Sequence, residues 1–184
     1  MLKLKSQVMH EDEIERALKR MAHQITEKNE GCDNVVLLGI KSRGVPLAEK
    51  LAAYIKLFEG VDVPVGKLDI TRHRDDLTES EKPEFHGSEI GFEVAGRDVI
   101  LVDDVIYTGR TVRAAMDAVT EFGRAGTIQL CVLIDRGFRE LPIRPDYVGK
   151  NIPTSRREKV VVSLAPLDKE TGVAIYEKEG EQNE

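Results

Sequence analysis

Two adjacent aspartates, Asp103 and Asp104, close the apolar run "VILVDD", and the turn "YTGRT" (107–111) follows them almost at once. Carboxylates accept hydrogen bonds from paired hydroxyls or help hold a divalent cation. The turn offers the opposite chemistry. The backbone N–H groups of Thr108 to Thr111 can converge at the start of a following helix, where unpaired donors and the helix dipole favour an anion. Gly109 permits a backbone conformation that a larger residue resists, while Thr108 and Thr111 add hydroxyls. Acids placed about one ribose from an anion cradle form a device for a sugar phosphate. A plainer reading stays open, in which the aspartates end a strand and the threonines cap a helix.

Two other phosphate chemistries fail on spacing. An apolar strand ending in acids suits the magnesium strand of an NTPase, but that site requires a Walker A loop. The nearest candidate, "GIKSRGVP" (39–46), has its glycines correctly separated but Val45 and Pro46 where Lys and Ser or Thr should stand. No G-x-G-x-x-G follows a strand pattern, so a dinucleotide fold is excluded as well.

The elements that position these residues alternate in type. From Glu11 to Lys28, Ile14, Leu18, Met21 and Ile25 recur at helical spacing, and the opposite face carries Arg16, Lys19, Arg20, His23 and Lys28. Gly31 is a natural stop. "NVVLLGI" (34–40) reads as a buried strand, and 45–58 as a helix with Pro46 in its first turn. Residues 61–70 are strand-like, with Pro64 marking an edge or bend. The polar stretch from Thr71 to Ser88 has no steady period, as expected of a lid or binding loop. A strand at 98–103, a helix at about 111–122, and strands at 127–135 and 159–164 follow. In the later helix Val112, Ala115, Met116, Val119 and Phe122 share one face.

This alternation predicts an α/β fold, a mostly parallel central sheet flanked by helices, with ligands beyond the carboxyl ends of the strands. Both "GIKSRG" and "DDVIYTGRT" fall at such ends. The 184 residues, 41% hydrophobic and 33% charged, suit one domain able to bury a core. No apolar run reaches the ~18 residues of a membrane helix. The start lacks the apolar centre of a signal peptide, so a soluble, cytoplasmic protein without membrane association is expected. Cys32 and Cys131 lie far apart, without metal-ligand spacing, and read as reduced structural thiols. The net charge is −6, yet segment 136–159 holds seven Lys or Arg against three acids, a local basic patch on an acidic background. The acidic tail after Tyr176 reads as frayed.

The segment 99–111 resembles the phosphoribosyl-diphosphate signature of type I phosphoribosyltransferases. The wider chain is similar to one family, the bifunctional PyrR proteins, which combine pyrimidine operon attenuation with uracil phosphoribosyltransferase activity. The matching stretches are "RALKRMAH", "GIKSRG", "VGKLDITRHRDDL", "VILVDDVIYTGRTVRAAMDA", "DRGFRELPIRPDYVGKNIPTS" and "EKVVVSL". They run in the family's order from residue 14 to about 164, leaving the tail and the region around 77–97 without distinctive matches.

The resemblance implies the type I fold, one domain over 1–184, and a small hood over the active site that includes about 66–90 and parts of 136–184. It implies that Asp103 and Asp104 hold the ribose hydroxyls, with Mg2+ as cofactor bound there directly or through water or substrate. Thr108, Gly109, Arg110 and Thr111 would take the 5-phosphate. Lys41, Ser42 and Arg43 would receive diphosphate, with Arg43 as charge partner, and Arg74 would close from the hood, positioned by Asp75 or Asp76. Arg136 and the backbone around Val160 to Val162 would recognise uracil. Arg72 could close on diphosphate beside Arg74, although the family commonly carries an apolar residue and then tyrosine where Arg72 and His73 stand; His73 reads as a solvated loop histidine.

The same resemblance implies a leader mRNA hairpin as partner, with the product UMP promoting its binding. Lys19, His23 and Lys28 on the first helix and Arg139, Arg144 and Lys150 in the basic segment match the RNA-binding positions. A homodimer or larger homo-oligomer is implied too. Two alternatives stand beside this bifunctional expectation: a catalytically silent nucleotide sensor that binds RNA, and a phosphoribosyltransferase with no RNA role.

Overall fold

The computed structural model describes residues 2–78 and 80–178. Strand β1 (Leu2–His10) leads into helix α1 (Glu11–Lys28), then β2 (Val35–Ile40), α2 (Gly44–Glu59) and β3 (Val65–Leu68). After a single 3-10 turn at Thr71–His73 come β4 (Asp98–Ile106), α3 (Arg110–Thr120), β5 (Thr127–Asp135), β6 (Tyr147–Asn151), β7 (Glu158–Ser163) and β8 (Gly172–Lys178). Acids at Glu11, Asp12 and Glu13 suit the positive end of α1, and Glu13 reaches back to accept the His10 N–H at 2.9 Å.

The main sheet has the order β3-β2-β4-β5-β6 and is parallel throughout. Helices α1 and α2 cover one face, where Ile14, Leu18, Met21, Leu47 and Leu51 pack on Leu37, Ile100 and Leu133. Helix α3 covers the other, with Val112, Ala115 and Val119 against Leu38, Leu101 and Val132. Burial on both sides explains the unbroken apolar runs of β2 and β4. The chain steps outward from β2 to β3 in one direction and from β4 to β5 and β6 in the other. The carboxyl ends of β2 and β4 therefore flank the switch point at which such sheets bind ligands.

The expected α/β architecture is present, with several differences in detail. Strand β3 covers only four residues of 61–70, and it is the edge strand that Pro64 requires. Strand β4 continues past 103 to Ile106, so the aspartates lie inside its last turnings rather than after it. Phe122 falls beyond α3 and is exposed; Ala114 and Ala118 take the buried positions instead. Strands β1, β6 and β8 have no counterpart in the sequence reading. Strand β8 carries regular structure beyond Tyr176, while residues 179–184 of the expected frayed tail lie outside the described residues. Strands β1, β8 and β7, in that order, form a small antiparallel sheet.

Both cysteines are free and buried, and burial pushes the Cys131 thiol up to about 12. Among the described residues no helix is long and apolar enough to cross a membrane.

Candidate active site

Two glycines bring the loop after β2 onto β4. A Cβ at Gly39 would lie 2.5 Å from Val45 Cα, and one at Gly44 would lie 2.2 Å from the Val102 carbonyl oxygen. No larger residue allows this approach, which sets Lys41, Ser42 and Arg43 beside the strand that carries Asp103. The Lys41–Ser42 peptide bond is cis.

Asp103 is only 8% exposed. Its Oδ1 accepts the Asp104 N–H at 2.9 Å, and Asp104 Oδ1 accepts the Val105 N–H at 2.8 Å. Burial and the adjoining Asp104 carboxylate push Asp103 well above the ordinary carboxylate range. Burial raises Asp104 as well, opposed by its contact with Asp103, the Val105 N–H and the charge of Arg43. Among the described residues neither acid has an ion-pair partner, and no third His, Cys, Asp or Glu completes a protein cage for a metal. Two adjacent carboxylates fit Mg2+, which keeps several waters and takes its other ligands from phosphates.

The turn after β4 places the start of a helix directly after the acidic pair. Gly109 adopts φ +94°, at the start of α3. The Thr108 carbonyl accepts N–H groups from Glu140 at 2.9 Å and Leu141 at 3.2 Å, which fixes the loop from outside. Arg110 N–H donates to Thr108 Oγ1 at 3.3 Å, leaving that hydroxyl's proton available. The Arg110 side chain turns away, to Glu140 at 2.6 Å and Asp75 at 3.2 Å. The Arg110 guanidinium is thus committed outside the loop.

A cavity of about 520 Å³ opens beside the loop after β2, lined by Lys41, Asp69, Arg74, Leu77, His86 and Thr111 among others. The segment over it is tied at its base, where Lys67 and Glu89 exchange backbone hydrogen bonds of 2.9 and 2.8 Å. Lys41 Nζ donates to Gly87 O at 2.8 Å and pairs with Glu89 at 3.1 Å. Arg74 forks onto Asp76 with bonds of 2.5 and 2.6 Å, whereas Asp75 pairs with Arg110 and lies 3.6 Å from Arg113. His73 pairs with Glu121 at 3.0 Å, so it is not the solvated histidine expected. Arg72 lies 3.8 Å from the Phe85 ring centre, a packing contact.

Asp69 was not singled out from sequence, yet it laces both ends of this segment. Its Oδ1 accepts the Thr71 N–H and hydroxyl at 3.0 and 2.7 Å, and Oδ2 accepts the His86 N–H at 2.9 Å. The signal available was the Asp-x-Thr spacing of an Asx turn. Burial opposes its charge, but these donors prevail and hold the carboxyl below its ordinary value. A group with a depressed folded pKa stabilises above its unfolded value, near 3.8, and loses that contribution as pH falls through the folded one. Asp69→Asn is therefore expected to lower stability by about 1–3 kcal/mol at pH 7. The gap from the parent protein should close on acidification, as urea unfolding at pH 7, 5 and 3 would register; a gap independent of pH would contradict the assignment.

At the far side of β4, Arg136 is 8% exposed and donates to Thr154 Oγ1, Ser155 O and Glu158 O at 3.2, 3.1 and 2.8 Å. Its guanidinium lies 4.1 Å from the Tyr107 ring centre. Val160 is buried on β7, the edge strand of the small sheet, whose outer backbone groups have no partner strand. Through Glu158 O, Arg136 thus reaches β7 two residues from Val160.

The remaining cations divide between two places. Lys28 pairs with Asp146, Lys19 sits 5.5 Å from the Tyr54 ring centre, and His23 stacks on Phe58 at 4.1 Å, all on the outer face of α1. Lys150, on neighbouring β6, donates to Val8 O at 3.0 Å. Arg144 is exposed and without an ion pair among the described residues. Arg139 instead turns inward, to Ile143 O, Tyr107 O and Asp135 at 2.9, 3.0 and 2.6 Å.

Comparison with known proteins accords with this geometry. The phosphoribosyl transferase domain family matches residues 6–168. "Bifunctional protein PyrR" of Thermoanaerobacter pseudethanolicus is 58% identical over 96% of this chain and 100% of its own length. The protein of the same description from Thermus aquaticus is 52% identical over 97% and 99%. Among solved structures, a hypoxanthine-guanine phosphoribosyltransferase from Bacillus anthracis superposes with TM-score 0.70 over 96% of this chain and 99% of that one, at 20% identity, a likeness of fold.

Proposed function

Because the chain belongs to the phosphoribosyl transferase domain family and, within it, to the bifunctional PyrR proteins, we propose that it converts uracil and phosphoribosyl diphosphate to UMP and diphosphate and regulates pyrimidine genes by binding a leader mRNA hairpin. The observation that carries the catalytic half is the Asp103–Asp104 pair at the switch point, with Asp103 buried, between the Gly109 loop and the loop of Arg43. The whole chain acts as one domain, with residues of about 66–90 and parts of 136–184 serving as hood. Conversion of labelled uracil to UMP with phosphoribosyl diphosphate and Mg2+ tests the reading directly, and absence of turnover would overturn it.

In this mechanism the N–H groups around Thr108 to Thr111 hold the 5-phosphate, and the two carboxylates orient the ribose hydroxyls. When bound, Mg2+ supplies positive charge to the diphosphate and draws on Asp103 and Asp104, directly or through water. The bond from the sugar's anomeric carbon to diphosphate oxygen breaks and its electrons leave with diphosphate. Uracil N1 forms the new bond, and its proton passes to the departing diphosphate. Positive charge developing on the sugar lies near the acidic pair, which favours the transition state over the bound substrate. Arg136 and the open edge of β7 orient the base, while Arg74, released from Asp76, closes over the leaving group and helps exclude water.

The RNA half rests on Lys19, His23 and Lys28 of α1 and Lys150 of β6, together with exposed Arg144. Arg139 contributes by bracing the loop between Tyr107 and Ile143. Phosphates and 2′-hydroxyls are the natural acceptors for such donors, and unpaired loop bases supply sequence choice. Arg144→Glu should weaken hairpin binding at least about tenfold and flatten its salt dependence, with UMP synthesis nearly intact. Gel shifts at two salt concentrations decide this, and unchanged affinity would remove Arg144 from the RNA face. The protein acts as a cytoplasmic homodimer or larger homo-oligomer in this reading.

A further inference from the structure

Arg43 ties the loop after β2 to a distant part of the chain. Its Nη2 donates to Asp168 Oδ1 at 2.9 Å, while Asp168 Oδ2 accepts the Leu164 N–H at 2.9 Å. The Asp168 N–H returns to Leu164 O, also at 2.9 Å. These bonds fix the carboxylate within its own turn, and the Leu164 N–H followed by Arg43 holds it below the usual carboxylate range. The contact to Arg43 uses a single donor. Arg74, by contrast, forks onto Asp76 through both Nε and Nη2.

Single-point attachment leaves most of the Arg43 guanidinium, with its five donors in a rigid fork, uncommitted. Its Nε is buried and has no acceptor among the described residues. A buried donor without an acceptor is unfavourable in isolation, so the site is poised for a ligand that brings one. The guanidinium is also near enough to Asp104 for its charge to favour that acid's anion.

We propose that Asp168 is a positioning residue for the leaving group: it holds one donor of Arg43 so that the others, Nε among them, receive the diphosphate of the sugar substrate. This rests on the phosphoribosyltransferase reading, and it assigns a role to a residue outside both loops of the signature. The 164–168 turn then clasps the diphosphate loop from the hood side. Without it, Arg43 would sample other rotamers and meet diphosphate less often in a bonding geometry.

Asp168→Asn is the informative change. Its amide oxygen can still accept the Leu164 N–H, but an NH2 group then opposes the guanidinium. Binding of inorganic diphosphate and of UMP, each with Mg2+, should be measured by calorimetry beside steady-state kinetics. Diphosphate affinity should fall about tenfold and the KM for phosphoribosyl diphosphate rise in parallel. UMP, which lacks the diphosphate, should bind within twofold of the parent protein. In an Arg43→Met background, Asp168→Asn should add less than twofold to the loss of diphosphate affinity. Unchanged diphosphate affinity in the single variant overturns the clasp, and so does an equal loss for UMP, which marks a general structural role. If the parent protein neither binds diphosphate nor turns over, the phosphoribosyltransferase reading itself fails and takes the clasp with it.

Discussion

Replacing Asp103 and Asp104 together by asparagine lowers conversion of uracil to UMP by at least about a thousandfold and leaves the folded protein as stable as before, or more so. Removing one preorganised electrostatic group from an active site commonly costs about 10²–10³ in kcat, and this change removes the negative charge of two. Stability moves the other way because the pair is a liability without substrate. Asp103 is buried beside a like charge, and both effects push its pKa well above the ordinary range. Asparagine keeps an acceptor for the Asp104 and Val105 N–H groups without a charge to bury. A gain of about 1 kcal/mol would raise the thermal midpoint by about 2–4 °C in a chain of this size. Turnover within tenfold of the parent protein would exclude the pair from the chemistry; a sharp fall in the midpoint would mean that the acids serve the fold instead.

Gly44→Ala is the second change of large effect, and it acts without touching a charged group. The new Cβ would stand 2.2 Å from the Val102 carbonyl oxygen and 3.4 Å from Asp103 Cα. Both obstacles are backbone, one in α2's neighbouring strand and one in the residue that carries the site. No side-chain rotation relieves the clash. Either the start of α2 lifts away or β4 bends, and each displaces Arg43 relative to Asp103. Overpacking of this kind costs about 1–3 kcal/mol of stability, and a displacement of about 1 Å at a reacting centre can cost about 10² in rate. Urea unfolding and kcat/KM measure the two losses separately. Gly91→Ala is the control, since nothing lies within 4 Å of its Cβ position; equal losses at both sites would refute the packing argument.

What could be read in the residues was whatever repeats locally. Val35 to Ile40 and Val99 to Val102 announce buried parallel strands because both faces of the sheet are covered. Ile14, Leu18, Met21 and Ile25 mark α1 because its outer face meets water. The acidic pair and the Thr108 to Thr111 turn were legible for the same reason, since a strand end, a turn and a helix start are consecutive in the chain. Asp69 and Asp168 were not, because each gains its role from partners it does not adjoin: His86 for one, Arg43 for the other. Strand β6 was hidden by Gly149, which has no side chain to signal a strand and fits where a Cβ would stand 2.4 Å from Leu133 O. In β1 the alternation of Leu2 and Leu4 with lysines is genuine, but both leucines are exposed and two register shifts interrupt the pairing.

The pairing of β1 bears on the order in which the molecule takes shape. Its partner in the sheet is β8, the last described strand, so the pairing joins the first and the last of the described strands. Meanwhile β2 through β5 can assemble from neighbours close in sequence, and β7 with β8 can form a hairpin. Closing β1 onto that hairpin has the largest chain separation of any pairing here and brings mainly Met9 and Val8 to the core. Lys3 and Lys5 on the waiting strand keep it from pairing with strangers in the interval. By chain separation alone, this closure is the costliest pairing in the fold, whereas the end of the main sheet that carries Asp103 depends only on nearer neighbours.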